Sequence, residues 1–165
     1  MRLWIVAGTC AALGCVPVGS DLTTLGMNVP LRSDGTPGPE RCPAHVRQVM
    51  EAAELRPGAT AHIEIDANQY EREPLTLTAG PIESIMLEPM GRLGGATRLY
   101  GRVWTSGPRV VIRYYQAQRA GGNPLPICAV ARLGSGQLEG KPGKYPNSTE
   151  IPYSSALAFI VQDFL

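Results

Sequence analysis

The chain has 165 residues, with 15 basic and 14 acidic side chains and a formal net charge of +1 at pH 7. This near-neutral balance creates no net field that would draw the protein to nucleic acid. The length is enough for one domain with a substantial hydrophobic core, even after the N-terminal segments described next are set aside.

The first fifteen residues, MRLWIVAGTCAALGC, are typical of a bacterial export signal that ends at a cysteine carrying lipid. One basic residue, Arg2, precedes an uncharged run from Leu3 to Leu13, which is too short to cross a bilayer of about 30 Å as a stable helix. Small Gly14 stands directly before Cys15. We therefore expect residues 1–14 to be a signal peptide and Cys15 to be acylated, which would anchor the protein to a membrane. The expected location is the bacterial cell envelope, as an outer membrane lipoprotein that faces the periplasm or the cell surface.

Two alternatives to lipidation follow from the same residues. Ala12 and Leu13 stand where a lipobox usually has a large aliphatic residue and then a small one. An ordinary signal peptide cut near Cys15 is one alternative, and an uncleaved anchor is the other. We favour lipidation because Gly14 and Cys15 follow the apolar run directly and no Ala-x-Ala-like site is better placed.

Residues 15–41 are expected to form a flexible, lipid-anchored tether. The part from Val16 to Arg41 contains four prolines and four glycines and shows little apolar periodicity. A flexible chain of that length has a root-mean-square reach of roughly 25 to 30 Å. Residues 42–165 then form a single β-rich domain.

The cysteines indicate one disulfide. Removal of residues 1–14 takes away Arg2 and Cys10, so the mature chain has 14 basic and 14 acidic side chains and only Cys42 and Cys128 besides Cys15. Two remaining cysteines in an exported protein are most simply bonded to each other. The alternative is a zinc site that combines these two cysteines with His45 and His62, but its spacing lacks a second tight ligand pair.

The domain is predicted to be mainly β, with one N-terminal helix and seven strands in an antiparallel sandwich or a small barrel. Cys42 and Pro43 open the helix, Val46, Val49 and Met50 recur at helical spacing, and the segment Arg56-Pro57-Gly58 ends it. Turns rich in Gly and Pro separate the strands. The predicted strands are Thr60 to Asp66, Leu75 to Thr78, Ile82 to Glu88, Thr97 to Trp104, Arg109 to Ala117, Leu125 to Leu133 and Ala156 to Phe164. Residues 134–153 are predicted to be a long surface excursion.

The hairpin from Arg98 to Tyr115 supplies the candidate ligand face. A turn over residues 105–108 predicts cross-strand pairs of Trp104 with Arg109, Arg102 with Val111, Tyr100 with Arg113, and Arg98 with Tyr115. The opposite face must then point into the core and carries Leu99, Gly101, Val103, Val110, Ile112 and Tyr114. Three of the four outer pairs set an arginine against an aromatic ring, which is a cation–π arrangement.

The charges are divided along the chain, and two interpretations of the hairpin arginines follow. Residues 51–88 contain eight acidic and two basic side chains, whereas residues 89–138 contain seven arginines and no acid. The halves are first of all expected to neutralise each other, for instance through Glu64 and Asp66 facing the hairpin. The alternative is a ligand face for an anionic glycan or another envelope partner. Its members are Arg98, Tyr100, Arg102, Trp104, Arg109, Arg113 and Tyr115.

Recognisable catalytic, metal and cofactor motifs are missing from the sequence. It contains no Gly-x-Ser-x-Gly elbow and no His-Glu-x-x-His, and the Gly91-x-x-Gly94-Gly95 segment is neither a phosphate loop nor a dinucleotide fingerprint. The two histidines, His45 and His62, lie in no recognisable constellation. We therefore expect no metal, no cofactor and no enzymatic activity.

Three segments together resemble a group of small uncharacterised lipoproteins from myxobacteria: the lipobox-like start, GATRLYGRVWTSGPRVVIRYYQAQ at residues 95–118, and NPLPICAVARL at residues 123–133. The resemblance covers most of the chain after Cys42. Members of this group are often labelled serine/threonine kinases, yet the chain has no Gly-rich nucleotide loop and no His-Arg-Asp, and Leu165 follows Asp163-Phe164 where a kinase has Gly. Residues 95–125 are also similar in rhythm to strands of the β-barrel component of type IV secretion channels.

The sequence therefore predicts a noncatalytic envelope lipoprotein that acts as a binding or structural module. An inhibitor of an exported hydrolase and an envelope enzyme with scattered catalytic residues are the alternatives.

Overall fold

The structure is a computed structural model that describes residues 26–134 and 136–165. The described chain is mainly β with one α-helix, as the sequence predicts. The signal peptide at residues 1–14 and the lipidation site Cys15 lie outside the described residues.

Six of the strands close into an antiparallel barrel in the order β10-β2-β4-β5-β6-β7. Two short strands, β1 and β11, pair with each other outside it, and β3, β9 and β8 form a separate three-stranded sheet. In chain order the elements are β1 (Glu40–Arg41), α1 (Ala44–Ala52), β2 (Thr60–Glu64), β3 (Leu75–Thr78), β4 (Gly80–Met86), β5 (Arg98–Trp104), β6 (Val111–Gln118), β7 (Leu125–Arg132), β8 (Lys141–Pro142), β9 (Ser148–Ile151), β10 (Ser155–Ile160) and β11 (Asp163–Phe164).

The barrel interior is filled by side chains that alternate along each strand. Every second residue is buried along β4 and β10, and alanines are among the inner residues of β7 and β10. Small inner residues are required because a six-stranded barrel encloses little space. The small-barrel alternative is thus confirmed, but closure uses six of the predicted strands and not seven.

The seventh predicted strand, β3, belongs to the separate sheet. It pairs with β9, with Leu75 opposite Ile151 and Thr78 opposite Ser148. The segment predicted as a surface excursion, residues 134–153, therefore contains two strands, and β9 is the centre of that sheet. Sequence periodicity missed β8 and β9 because both are short and contain little apolar alternation, with Ile151 as the one aliphatic residue of the two strands.

The helix packs on the barrel through the residues predicted to form its apolar stripe. Pro43 stands at the N-cap, and Val46 and Met50 are buried. The disulfide between Cys42 and Cys128 ties the start of the helix to β7, with a Cα–Cα distance of 6.0 Å. The predicted disulfide is thereby confirmed, and it leaves neither cysteine available as a thiolate ligand for the zinc alternative.

The register of the predicted hairpin is wrong by two residues near the turn. Trp104 pairs with Val111 and Arg102 with Arg113, so the connection spans residues 105–110. Val110 instead forms a bridge with Leu138. A shift by two residues keeps every side chain on its face. The inner set therefore stays inside, and Leu99, Val103, Ile112 and Tyr114 are all buried.

A bulge then shifts the pairing of β5 and β6 by one further residue. Gly101 pairs with Tyr114 but Tyr100 pairs with Gln116, which leaves Tyr115 without a partner on β5. Arg98 accordingly pairs with Gln118 and not with Tyr115. Glycine is required at position 101 because a Cβ there would overlap the carbonyl oxygen of Arg113.

Residues 26–41, which we call the strap, are ordered against the barrel, so the prediction of a flexible tether over residues 15–41 is wrong for the part that the structure describes. Leu31 and Pro37 form a bridge within the strap, and Gly38 donates its N–H to the carbonyl oxygen of Pro30 over 2.7 Å. The strap ends in β1, where Glu40 pairs with Phe164. Its prolines and glycines thus serve tight turns against the barrel.

Candidate functional site

The hairpin face predicted to bind a ligand lies on the outside of the barrel, but the strap covers part of it. Arg113 is 1% exposed and Trp104 is 8% exposed. Tyr115 is half-buried. The prediction that these three side chains are open to a partner is therefore wrong, because the chain's own N-terminal segment lies over them.

The guanidinium of Arg113 is held by strap atoms. It donates to the carbonyl oxygens of Gly38 and Pro37 over 2.9 and 3.4 Å and to Oε2 of Glu40 over 3.4 Å. Aromatic rings flank the cation, with the Phe164 centroid at 5.0 Å and the Trp104 centroid at 5.7 Å. Burial lowers the pKa of Arg113 from its usual range, since the charged form has lost water. The carbonyl and carboxylate acceptors replace part of that lost hydration.

Glu40 joins Arg113 to Tyr115. The hydroxyl of Tyr115 donates to Oε2 of Glu40 over 2.9 Å. Desolvation and the nearby Glu40 carboxylate raise the pKa of Tyr115 above its usual range. The hairpin face predicted to bind an anionic ligand therefore holds the carboxylate of Glu40, which belongs to the same chain.

The other members of the predicted face are dispersed. Arg98 forms an ion pair with Glu83 on the neighbouring strand β4. Tyr100 borders a shallow pocket together with Glu83. Arg102 stands opposite Arg113 on β6 and is only partly exposed. Arg109, at the end of the hairpin connection, is exposed and borders a cleft that Arg113 also lines.

The predicted neutralisation of the two halves of the chain occurs through other residues than expected. Glu83 with Arg98 and Glu54 with Arg92 form the ion pairs between the halves. Glu64 instead accepts a hydrogen bond from the N–H of Glu71 over 2.7 Å. The carboxylate of Asp66 accepts from the N–H of Asn68 over 2.9 Å and caps a single 3₁₀ turn.

An arginine-lined cleft of about 310 Å³ lies between the strap and strands β6 and β7. We call it the strap cleft. Arg32 enters from the strap, Arg109 from the hairpin connection, and Arg132 from the end of β7. Arg113 forms part of the wall beside the strap. Four arginines, from the strap, the hairpin connection, β6 and β7, thus border one concavity.

Local structure places each of the three outer arginines. Arg32 lies in a turn where its N–H donates to the carbonyl oxygen of Thr36 over 2.8 Å. Arg132 lies with its guanidinium carbon 5.7 Å from the ring centroid of Phe159 on the adjacent strand β10. Arg109 directly precedes Val110, whose bridge with Leu138 fixes the end of the hairpin connection.

The two aspartates that border the strap cleft are occupied by hydrogen bonds to other groups. Asp34 accepts from the N–H and the hydroxyl of Thr36 over 2.9 and 2.6 Å, and these bonds lower the pKa of its carboxyl. Asp163 accepts from the N–H of Cys42 over 3.0 Å. Neither aspartate forms an ion pair with an arginine among the residues that the structure describes.

Sequence reasoning missed Arg32 and Arg132. Arg32 lies in the segment interpreted as a tether, and Arg132 is the last residue of a strand with no local feature to distinguish it. Arg32 approaches Arg109 because the strap folds back across β6 and β7, and Arg132 approaches it because β7 pairs with β6. Nothing in the spacing of these arginines could have predicted the cleft.

The two histidines lie away from this cleft. His62 on β2 is paired with Glu88, with 3.0 Å between Nδ1 and Oε1, and its side chain is 62% exposed. The backbone N–H of His62 donates to the same carboxylate and, with the ring, lowers the pKa of Glu88. His45 is exposed on α1.

No model of a known protein family matches the chain, and no curated protein matches it significantly. Among the described residues, no helix is both long and apolar enough to span a bilayer.

Proposed function

We propose that the protein is a lipoprotein of the bacterial envelope, anchored at Cys15, whose barrel serves as a binding or structural module. The observation that supports it best is the bond between Cys42 and Cys128. Disulfides persist in oxidising compartments outside the cytoplasm, which agrees with the export expected from the leader. The outer membrane is the proposed site of anchoring.

The strap supports an anchored arrangement in which the barrel stays near the membrane. Its first described residue is Gly26, and residues 16–25 stand between Gly26 and Cys15. Ten residues span at most about 36 Å when fully extended. An anchor at Cys15 would therefore confine the barrel more closely than a free tether reaching to residue 41.

The chemistry of the strap cleft favours binding over catalysis. Its cations are arginines, which stay protonated at neutral pH and are poor proton donors or acceptors. Its two aspartates accept hydrogen bonds from Thr36 and from the N–H of Cys42. Guanidinium groups that stay charged are suited to the recognition of an oxyanion.

The anchor is tested by replacing the acylated residue in a Gram-negative host. The variant Cys15→Ser should move the protein from the membrane fraction to the soluble fraction, and mass spectrometry of the wild type should find diacylglycerol on an N-terminal Cys15. The matched control is Cys10→Ser, which changes the same residue type within the leader and should leave membrane attachment unchanged. An unmodified N-terminus, or equal membrane attachment of Cys15→Ser and the wild type, would refute the anchor.

A further inference from the structure

We propose that the strap cleft binds one sugar-sized group that carries an oxyanion, a phosphate or a carboxylate. This inference rests on the proposed function, because it names the class of ligand that the binding module would bind. The inference is carried by three features of the cleft: its excess of arginine over aspartate side chains, its size, and the mixture of apolar and polar atoms on its walls.

Arginine side chains outnumber aspartate side chains at the strap cleft by four to two. Outside the cleft, two of the described arginines form an ion pair, Arg92 with Glu54 and Arg98 with Glu83. Arg32, Arg109 and Arg132 form no ion pair with any described residue. An excess of guanidinium groups in a concave site raises the local concentration of anions.

The guanidinium of Arg113 is not available to a ligand in the strap cleft. Its guanidinium donates to Glu40 and to two strap carbonyl oxygens, and it is 1% exposed. It fixes the wall of the cleft by holding the strap in place. The ligand-contacting cations are therefore Arg32, Arg109 and Arg132, on three separate sides.

The size of the strap cleft limits the ligand to one small group. Its volume of about 310 Å³ lies at the lower end of the range for small-molecule sites, about 300–1,000 Å³. The walls combine the apolar side chains of Pro37, Val130 and Val161 with the polar side chain of Gln137. A sugar ring fits such a surface, since it has apolar C–H faces and hydroxyl groups at its edge.

The stacking of Arg132 adds specificity for an oxyanion. Contact with the Phe159 ring restricts the guanidinium, so less conformational entropy is lost when an anion binds. A planar guanidinium can donate two parallel hydrogen bonds to a phosphate or a carboxylate. Either oxyanion is accommodated by this chemistry, and the two are distinguished by experiment.

Calorimetric titration of the full chain in detergent micelles tests the site with four probes: glucose 6-phosphate, glucuronate, glucose and inorganic phosphate. One or both of the anionic sugars should bind, and glucose should not. Arg109→Gln and Arg132→Gln should each weaken binding about tenfold or more, since each change removes a charge-assisted hydrogen bond to the oxyanion. Added salt should weaken binding as well, because the side chains at the mouth are exposed.

The matched control is Arg119→Gln, which removes one positive charge from an exposed arginine outside the strap cleft. Its affinity should stay within about twofold of the wild type. Arg109 is exposed in a loop, so Arg109→Gln keeps the test valid if Arg132→Gln unfolds the protein.

Three outcomes would overturn the proposal: no binding of either anionic sugar, equal loss in Arg119→Gln and Arg109→Gln, or equally tight binding of glucose. If inorganic phosphate binds as tightly as glucose 6-phosphate, the sugar part of the assignment is wrong. Failure of the anchor is separate, since Cys15→Ser should bind these probes as the wild type does.

Discussion

Arg113 combines two features that rarely occur together, a full positive charge and nearly complete burial. Desolvation of a guanidinium is costly unless acceptors replace the lost water. Here the acceptors are two carbonyl oxygens and the carboxylate of Glu40, all from the strap. The stability of the strap and the burial of Arg113 therefore depend on each other.

Replacing Glu40 with Gln should lower the free energy of unfolding by about 1–2 kcal/mol, because the buried guanidinium loses its charged acceptor. The value is at the lower end for a buried ion pair, since the Glu40 side chain is 33% exposed and water screens the pair. Urea unfolding measures it. The control is Glu51→Gln on the exposed side of α1, which should change stability by less than about 0.5 kcal/mol. Equal effects of the two changes would contradict the role of Glu40.

The raised pKa of Tyr115 predicts a loss of stability at alkaline pH. Its folded-state pKa exceeds the unfolded value of about 10, so its stabilising contribution is complete below pH 10 and is lost as pH rises through the folded-state pKa. Tyr115→Phe should therefore show a shallower alkaline decline in the free energy of unfolding than the wild type. Chemical denaturation at a series of pH values is the measurement, and identical slopes would show that Tyr115 does not contribute.

The strap is the element that most changes the interpretation of the sequence. A segment with this content of Gly and Pro is typical of a linker, yet its backbone N–H groups form defined hydrogen bonds and its last two residues join β11. A Cβ at Gly107 in the hairpin connection would overlap the side chain of Thr36 in the strap. The hairpin connection and the strap are therefore in close contact. The strap cleft exists only while the strap is packed against the barrel.

Hydrogen exchange should show the strap as protected and not as a tether. The amides of Arg32 and Gly38 donate over 2.8 and 2.7 Å within the strap, so they should exchange well below random-coil rates. Glu40→Gln should accelerate the exchange of both amides, because it weakens the attachment of the strap to Arg113. Exchange of these amides at random-coil rates in the wild type would indicate that the strap is not packed against the barrel in solution.

At the scale of the whole molecule, the disulfide connects the start of α1 to a strand of the barrel. Cys42 lies between the strap and α1, and Cys128 lies in a barrel strand, 86 residues away. A crosslink over so long a loop restricts the unfolded chain strongly. It also fixes the position from which the strap runs back across β6.

The double variant Cys42→Ala with Cys128→Ala should lower the free energy of unfolding by about 2–5 kcal/mol. Alanine is the replacement of choice since both sites are buried and a serine hydroxyl would need a partner. Urea unfolding of the wild type in reductant should approach the result for the variant. An unchanged midpoint in both cases would show that the bond contributes nothing to stability.

The sequence by itself determined the features that depend on short-range periodicity and on counting. Alternation along β5 and β6 identified the inner residues Leu99, Val103, Ile112 and Tyr114, and this survived an error of two residues in register because side chains repeat with period two. The count of cysteines in the mature chain predicted the disulfide. Helical spacing of Val46 and Met50 located α1.

Only the tertiary structure decided how the barrel closes, where the strap lies and which arginines share a cleft. These features depend on contacts between distant parts of the chain, such as that of Arg113 with Glu40, 73 residues apart. Local sequence shows that an arginine lies on an outward face, but whether that face meets water or another segment depends on the path of the whole chain. The strap therefore covers Arg113, whereas Arg109, only four residues earlier in the same hairpin, lies beside an open cleft.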